Sequence, residues 1–256
     1  MSDEVQKEIL FDVRGQCVVI TINRPEQRNA MNIAACHQLT AAFRRFEEDS
    51  LLRVAILTGA GDKAFSAGRD VKEAPNLHGA QVPPLPLLGV NIEVSKPVIA
   101  AVNGPALGGG WVFAQMCDLC IAADTARFAI TEGKFGRGMA WTAPLIHMIG
   151  SRLAMELMLT GKTIDAQRAY EMGFVNKVVA YADLIPQALA MAEEIIACAP
   201  LSVAVARQMV KHAMNMGVDA AGRVGKQLSD SLYHSEDVEE GTRAFKEKRK
   251  PVWKGR

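Results

Sequence analysis

Lys96-Pro97-Val98-Ile99-Ala100-Ala101-Val102-Asn103-Gly104-Pro105-Ala106-Leu107-Gly108-Gly109-Gly110 decides the fold class of this 256-residue chain. Residues 97–102 are almost wholly apolar and of strand length, which predicts a strand covered on both faces. The glycine-rich loop 104–110 ends it, and a helical pattern starts near Gly110 with Trp111-Val112-Phe113. Glycines at a helix start leave N–H groups unpaired and accessible, a ready site for an anion or oxyanion. The same glycines also suit close helix–strand packing alone, and both readings stand at this point.

Working outward, residues 16–22 (QCVVITI) are β-branched and end at Asn23-Arg24-Pro25, a strand followed by a turn. Residues 32–49 carry Ile33, Leu39, Ala42, Phe43 and Phe46 at helical spacing, with Asn32 as N-cap. Residues 53–58 (RVAILT) form a second apolar strand, broken by Gly59-Ala60-Gly61-Asp62. Strand character returns at 117–123 and 175–179. Helices are predicted over 151–160, 165–172 (N-cap Asp165), 183–198, 201–216 and 237–248. Apolar strands alternating with helices make this an α/β chain. A boundary near Cys198-Ala199-Pro200 divides it into a core, 1–198, and a helical region, 199–256. Residues 75–90 are dense in proline and glycine but also apolar, and read as a loop covering an apolar ligand.

Apolar residues make up 49% of the chain and charged residues 22%, as in ordinary globular proteins. A net charge of +1 supplies no bulk field for nucleic acid or an anionic membrane. No apolar run approaches the ~20 residues of a membrane span, and the acidic N-terminus has no signal-peptide pattern. The five cysteines are scattered and odd in number, which fits buried thiols in a reducing cytoplasm. Cys117-x-x-Cys120 has no second pair or nearby histidine to complete a zinc site, so no metal is expected.

Two loops carry the chemistry: Ala64-Phe65-Ser66-Ala67-Gly68-Arg69-Asp70 and the 104–110 loop. Neither is a nucleotide loop. The second lacks the Lys-Ser/Thr of a P-loop, and no helical pattern follows Gly59-Ala60-Gly61-Asp62-Lys63-Ala64 to complete a dinucleotide unit. Together with Arg24-Pro25, Arg28-Asn29-Ala30-Met31-Asn32, residues 96–104 and Leu159-Thr160-Gly161, they resemble the crotonase (enoyl-CoA hydratase/isomerase) superfamily. The resemblance spans nearly the whole chain. The C-terminal run from His234 to Arg256 is similar to the carnityl-CoA dehydratase branch.

That resemblance implies a spiral of ββα turns capped by C-terminal helices that build trimers or hexamers. It implies an acyl-CoA substrate, with coenzyme A entering as part of that substrate and no separate cofactor. The oxyanion hole falls on the backbone N–H groups of Arg69 and Gly109. Coenzyme A is expected along Arg28, Ala30, Ala67, Gly68, Asp70, Val71 and Lys72, with Arg69 near its phosphates. Hydratases of the family use two glutamates. Here the first position is Val112, which cannot hold water, and the second matches Glu132 after the apolar stretch Phe128-Ala129-Ile130. A single carboxylate resembles the family's Δ3,Δ2-enoyl-CoA isomerases, so proton shuttling by Glu132 is the favoured reading. Hydration is the alternative if Asp70, Glu73 or Glu93 replaces the missing group. A degenerate acyl-CoA- or RNA-binding relative is the second alternative. The Gly136-Arg137-Gly138-Met139-Ala140-Trp141 segment departs from the family's glycine-rich turn. Trp111 and Trp141 are expected either to reshape the acyl pocket or to pack the core, whereas His37 and His147 have no readable catalytic partner.

Overall fold

A computed structural model describes residues 7–70 and 84–256. Val71, Lys72 and Glu73, and most of the segment read as a covering loop, lie outside the described residues. The chain opens with a hairpin of β1 (Ile9–Arg14) and β2 (Cys17–Ile22), turned at Gly15 with φ 61°. Then come α1 (Ile33–Glu48), β3 (Val54–Gly59), β4 (Val98–Val102), β5 (Ala106–Leu107) and α2 (Gly109–Gln115). They are followed by β6 (Leu119–Ala123), β7 (Arg127–Ala129), α3 (Leu145–Ile149) and α4 (Ser151–Thr160). The last elements are β8 (Ile164–Asp165), α5 (Ala166–Glu171), β9 (Lys177–Val179), α6 (Leu184–Ile196), α7 (Pro200–Asn215), α8 (Val218–Leu232) and α9 (Glu236–Glu247).

The main sheet runs β1-β2-β3-β4-β6-β9, parallel except for β1 against β2. A smaller sheet, β5-β7-β8, is extended by isolated parallel bridges Ser66↔Ala106 and Met31↔Arg69. Successive passes of the chain therefore place one strand in the main sheet and one short pairing in the other. A helix follows in most of them: β2, Met31, α1; then β4, β5, α2; then β6, β7, α3. This is the ββα spiral that the sequence led us to expect.

Side chains alternate across the main sheet, as the two-residue period of a strand requires. Val18, Ile20, Ile22, Ala55, Leu57, Val98, Ala100 and Val102 face the larger core, where Leu39, Phe43 and Phe46 of α1 are fully buried. Burying each of those three contributes about 1.5–3 kcal/mol. Val19, Val54, Ile56, Ile99, Ala101 and Ile121 face the other side, covered by Leu184, Ala188 and Ala192 of α6. Coverage of both faces is why these strands carry no polar alternation. Asn32 caps α1 by accepting from the Ala35 N–H at 2.7 Å, and Asp165 caps α5 by accepting from Arg168 at 2.8 Å.

The C-terminal tail folds back onto the core. The Asp237 carboxylate, 3% exposed, accepts from the backbone N–H groups of Lys254 and Gly255. The Trp253 indole donates to the Ala197 carbonyl, and Arg53 beside β3 donates to the carbonyls of Ile196 and Cys198. Helix α8 was not anticipated. It contains Gly222 and Gly225, and a Cβ on Gly225 would lie 2.8 Å from the Met209 side chain of α7. That glycine permits a close helix–helix approach. No single helix among the described residues is long and apolar enough to cross a membrane.

Candidate active site

The site begins with backbone ties that bring distant loops together. Arg28 and Asn29 take φ 53° and 54°, turning the chain so that the Asn29 side chain points inward. Its amide donates to the carbonyls of Ala60 and Ala64 and accepts from the Arg24 N–H. The Ser66 hydroxyl donates to Asn29 O, and the Ala67 N–H to Arg28 O. The 24–30 turn and the 64–70 loop are thus one rigid unit, which accounts for the Arg-Asn-Ala-Met-Asn pattern.

Asp70 continues it. Its carboxylate pairs with the Arg24 guanidinium at 2.8 Å, and Arg24 also reaches Glu8 at 3.4 Å; all three side chains are largely buried. Asp70 is thereby held on the cavity wall by a cation. Asn103 ties in the next loop, accepting from the Gly59 N–H and donating to Gly61 O.

Gly68 packs directly on the glycine triplet. A Cβ there would sit 2.8 Å from Gly109 N and 3.2 Å from Gly110 N, and Gly68 has φ 81°. A Cβ on Gly109 would sit 3.1 Å from Gly68 Cα and 3.5 Å from Arg69 N. The Met31 N–H donates to Gly68 O and the Asp70 N–H to Met31 O, which turns the intervening Arg69 N–H to the opposite side of the strand. Gly109 is the first residue of α2, so its N–H has no intrahelical acceptor. Both residues line one cavity. Two backbone donors side by side can share an oxygen that gains negative charge.

That cavity holds about 900 Å³. Arg28, Ala30, Ala67 and Asp70 lie on its wall, and Gly68 sits behind it in the contact with Gly109. Glu132 enters from a one-turn 3-10 helix, Glu132–Phe135, that follows β7. Its Oε1 lies 3.2 Å from where a Gly108 Cβ would be and accepts from the Trp141 indole at 3.1 Å. Its Oε2 is buried with no hydrogen-bond partner. Val112, 4% exposed, also lines the cavity, so a branched apolar side chain faces it there.

Readings that the sequence left open are narrowed here. Trp111 does not shape the cavity: it is fully buried, edge-on to Phe128 and tilted against Phe174. Trp141 does line it. Glu93 is exposed and away from the cavity lining, so it does not stand in for the missing glutamate. His37 and His147 are exposed on helices away from the cavity. Among the described residues no group of three or more His, Cys, Asp or Glu could hold a metal. Cys117 donates to the Phe113 carbonyl, and burial pushes the Cys120 thiol up to about 12.

Several wall residues had no local signal: Glu26 and Gln27 from the turn before Arg28, Thr131, and exposed Phe135. Leu85 and Leu87 were indicated only by the apolar character of their loop. Glu26 pairs with Lys63 at 2.8 Å.

The enoyl-CoA hydratase/isomerase family model matches residues 13–256. Carnitinyl-CoA dehydratase of Citrobacter koseri is 36% identical over 98% of this chain and 100% of its own length. A probable mitochondrial enoyl-CoA hydratase of Dictyostelium discoideum is 37% identical over 94% of this chain and 88% of its own. The crystal structure of enoyl-CoA hydratase from Mycobacterium tuberculosis H37Rv matches with a TM-score of 0.91 at 35% identity, covering 98% of this chain and 100% of that one. With family model, relatives and solved fold agreeing from end to end, the chain belongs to the enoyl-CoA hydratase/isomerase family and is a crotonase-type acyl-CoA enzyme.

Proposed function

We propose that this enzyme shifts the double bond of an enoyl-CoA thioester from the β,γ to the α,β position, using Glu132 as a proton shuttle. One observation carries the reading. Among the described residues three carboxylates line the cavity, and Lys63 holds Glu26 while Arg24 holds Asp70. Of these three, Glu132 alone has a buried oxygen without a partner. Val112 faces the same space and cannot activate water.

In this reading Oε2 of Glu132 takes the α-proton. The electron pair moves onto the thioester oxygen, which the Arg69 and Gly109 N–H groups stabilise. The electron pair then returns through the dienolate, and the γ-carbon takes back the same proton as the α,β double bond forms. Coenzyme A enters with the substrate along Arg28, Ala30, Ala67 and Asp70, and the chemistry needs no metal or further cofactor.

Hydration or dehydration is the second reading, supported by Asp70 on the same wall and by relatives named as hydratase and dehydratase. The test is turnover of a 3-enoyl-CoA against a 2-enoyl-CoA by wild type and Glu132→Gln. Isomerisation reduced by about 10²–10⁴ in the variant is expected, the usual worth of a positioned acid/base. Efficient wild-type hydration of the 2-enoyl thioester, unaffected by the substitution, overturns the proposal. Tight binding of both thioesters without turnover points to a binding relative.

We further propose that the 199–256 helices and α4 pack against other copies to form a trimer or hexamer. Phe245, Leu159, Val210 and Met155 on these helices are 86%, 77%, 62% and 52% exposed, apolar side chains that contact with other copies would cover. Sedimentation velocity reports the state, and a monomer sinks the idea.

A further inference from the structure

We infer that Trp141 is a positioning residue that sets which oxygen of Glu132 meets the substrate. The indole N–H donates to Oε1 at 3.1 Å, leaving Oε2 as the buried oxygen without a partner. An indole N–H can donate but not accept, so it cannot compete for the proton that Glu132 carries. It can only hold one lone-pair direction and leave the other oxygen to react.

The indole is itself fixed. Trp141 sits in the short 3-10 turn Ala140–Thr142, closed by the Thr142 hydroxyl and N–H donating to the Met139 carbonyl. The Trp141 carbonyl accepts from the Gln115 amide at 2.8 Å. Gln115 is 7% exposed and is the last residue of α2, the helix that begins at Gly109. The Arg137 N–H donates to the Glu132 carbonyl at 3.0 Å, tying the other end of the segment to the same carboxylate residue. One hydrogen-bonded chain therefore runs from α2 through Gln115 and Trp141 to Glu132. The oxyanion donor and the base share one scaffold, so their separation is set before substrate arrives.

The inference rests on Glu132 being the reacting carboxylate, and it holds for either proton shuttling or hydration. Trp141→Phe keeps an aromatic wall and deletes only the donor. Expected is a fall in kcat of about 10- to 100-fold with KM changed less than about twofold, the pattern of a misaimed group rather than a lost contact. Gln115→Leu should give a smaller loss of the same kind. An unchanged kcat, or a rise in KM that accounts for the whole loss, overturns the inference. An inactive wild type indicts the functional reading instead. A spectroscopic measurement decides the case even if Trp141→Phe fails to fold. In the ¹⁵N-tryptophan-labelled protein, the indole signal of Trp141 should move in Glu132→Ala while those of Trp111 and Trp253 stay. A Trp141 signal that does not move overturns the inference.

Discussion

Gly109→Ala separates the proposed chemistry from stability. The added Cβ would lie 2.9 Å from Leu85 Cδ1, 3.1 Å from Gly68 Cα and 3.5 Å from Arg69 N. Leu85 can rotate away, but Gly68 Cα is backbone and must retreat by a few tenths of an ångström. An N–H···O bond spans about 2.7–3.2 Å, so that displacement stretches one of two converging donors beyond its useful range. Losing one donor of an oxyanion site costs about 10²–10³ in rate, or about 2.7–4 kcal/mol. Stability should barely change, because alanine in place of glycine favours a helix by up to about 1 kcal/mol and offsets the crowding. We therefore expect kcat/KM for enoyl-CoA turnover to drop at least 100-fold, with urea denaturation within about 1 kcal/mol of wild type. Gly110→Ala is the contrast: its Cβ would fall 1.9 Å from the Ser66 carbonyl oxygen, so folding itself should fail. A well-folded Gly109→Ala enzyme with kcat/KM within about threefold of wild type would refute the assignment of these two N–H groups.

Other expectations are independent of that one. Val112→Glu places a second carboxylate on the cavity wall and should raise hydration of a 2-enoyl-CoA at least about tenfold; no gain over wild type counts against the part assigned to Val112. Glu240 is gripped by Arg249, the Val252 N–H and Arg243, which hold its carboxyl far below the usual carboxylate range. Its folded-state pKa being depressed, that stabilisation is complete above the unfolded value of about 4.3 and fades as pH falls below it. The Tm gap between wild type and Glu240→Gln should therefore be largest near neutrality and shrink under acid; a constant gap contradicts the ion-pair account. Burial pushes the Cys17 thiol up to about 11 and Cys120 up to about 12, and Cys36 and Cys117 are also buried. Only Cys198 is exposed, so a thiol reagent near neutral pH should label one cysteine per native chain and all five after unfolding. More than one native label speaks against these buried positions.

Strands β2, β3, β4, β6 and β9 of the main sheet and α1, α4 and α5 were legible because their signals are local. Apolar runs such as Val98-Ile99-Ala100-Ala101-Val102 need no partner to be recognised, and Asn32 and Asp165 announce helix starts within three residues. Elements that depend on a neighbour were not legible. Strand β1 is mostly exposed at the sheet edge, and its Ile9-Leu10-Phe11-Asp12-Val13-Arg14 run buries only Ile9. Strands β5 and β8 have two residues each, too few for any period, yet they close the second sheet. Helix α8 carries two glycines, of which Gly225 makes close contact with Met209 of α7.

The sequence alone determined which residues are available to the proposed chemistry: a glycine triplet, Arg69 after Gly68, Glu132 and a valine at 112. These are choices of residue at positions that a linear pattern identifies. Only the tertiary structure decided that Asp70 is held by Arg24, that Trp111 belongs to the core, and that Trp141 reaches Glu132. The Arg24–Asp70 pair alone joins segments 46 residues apart. Hydrogen-bond and ion-pair partners are fixed by distance in space, and a linear pattern holds no record of those distances until the spiral has closed.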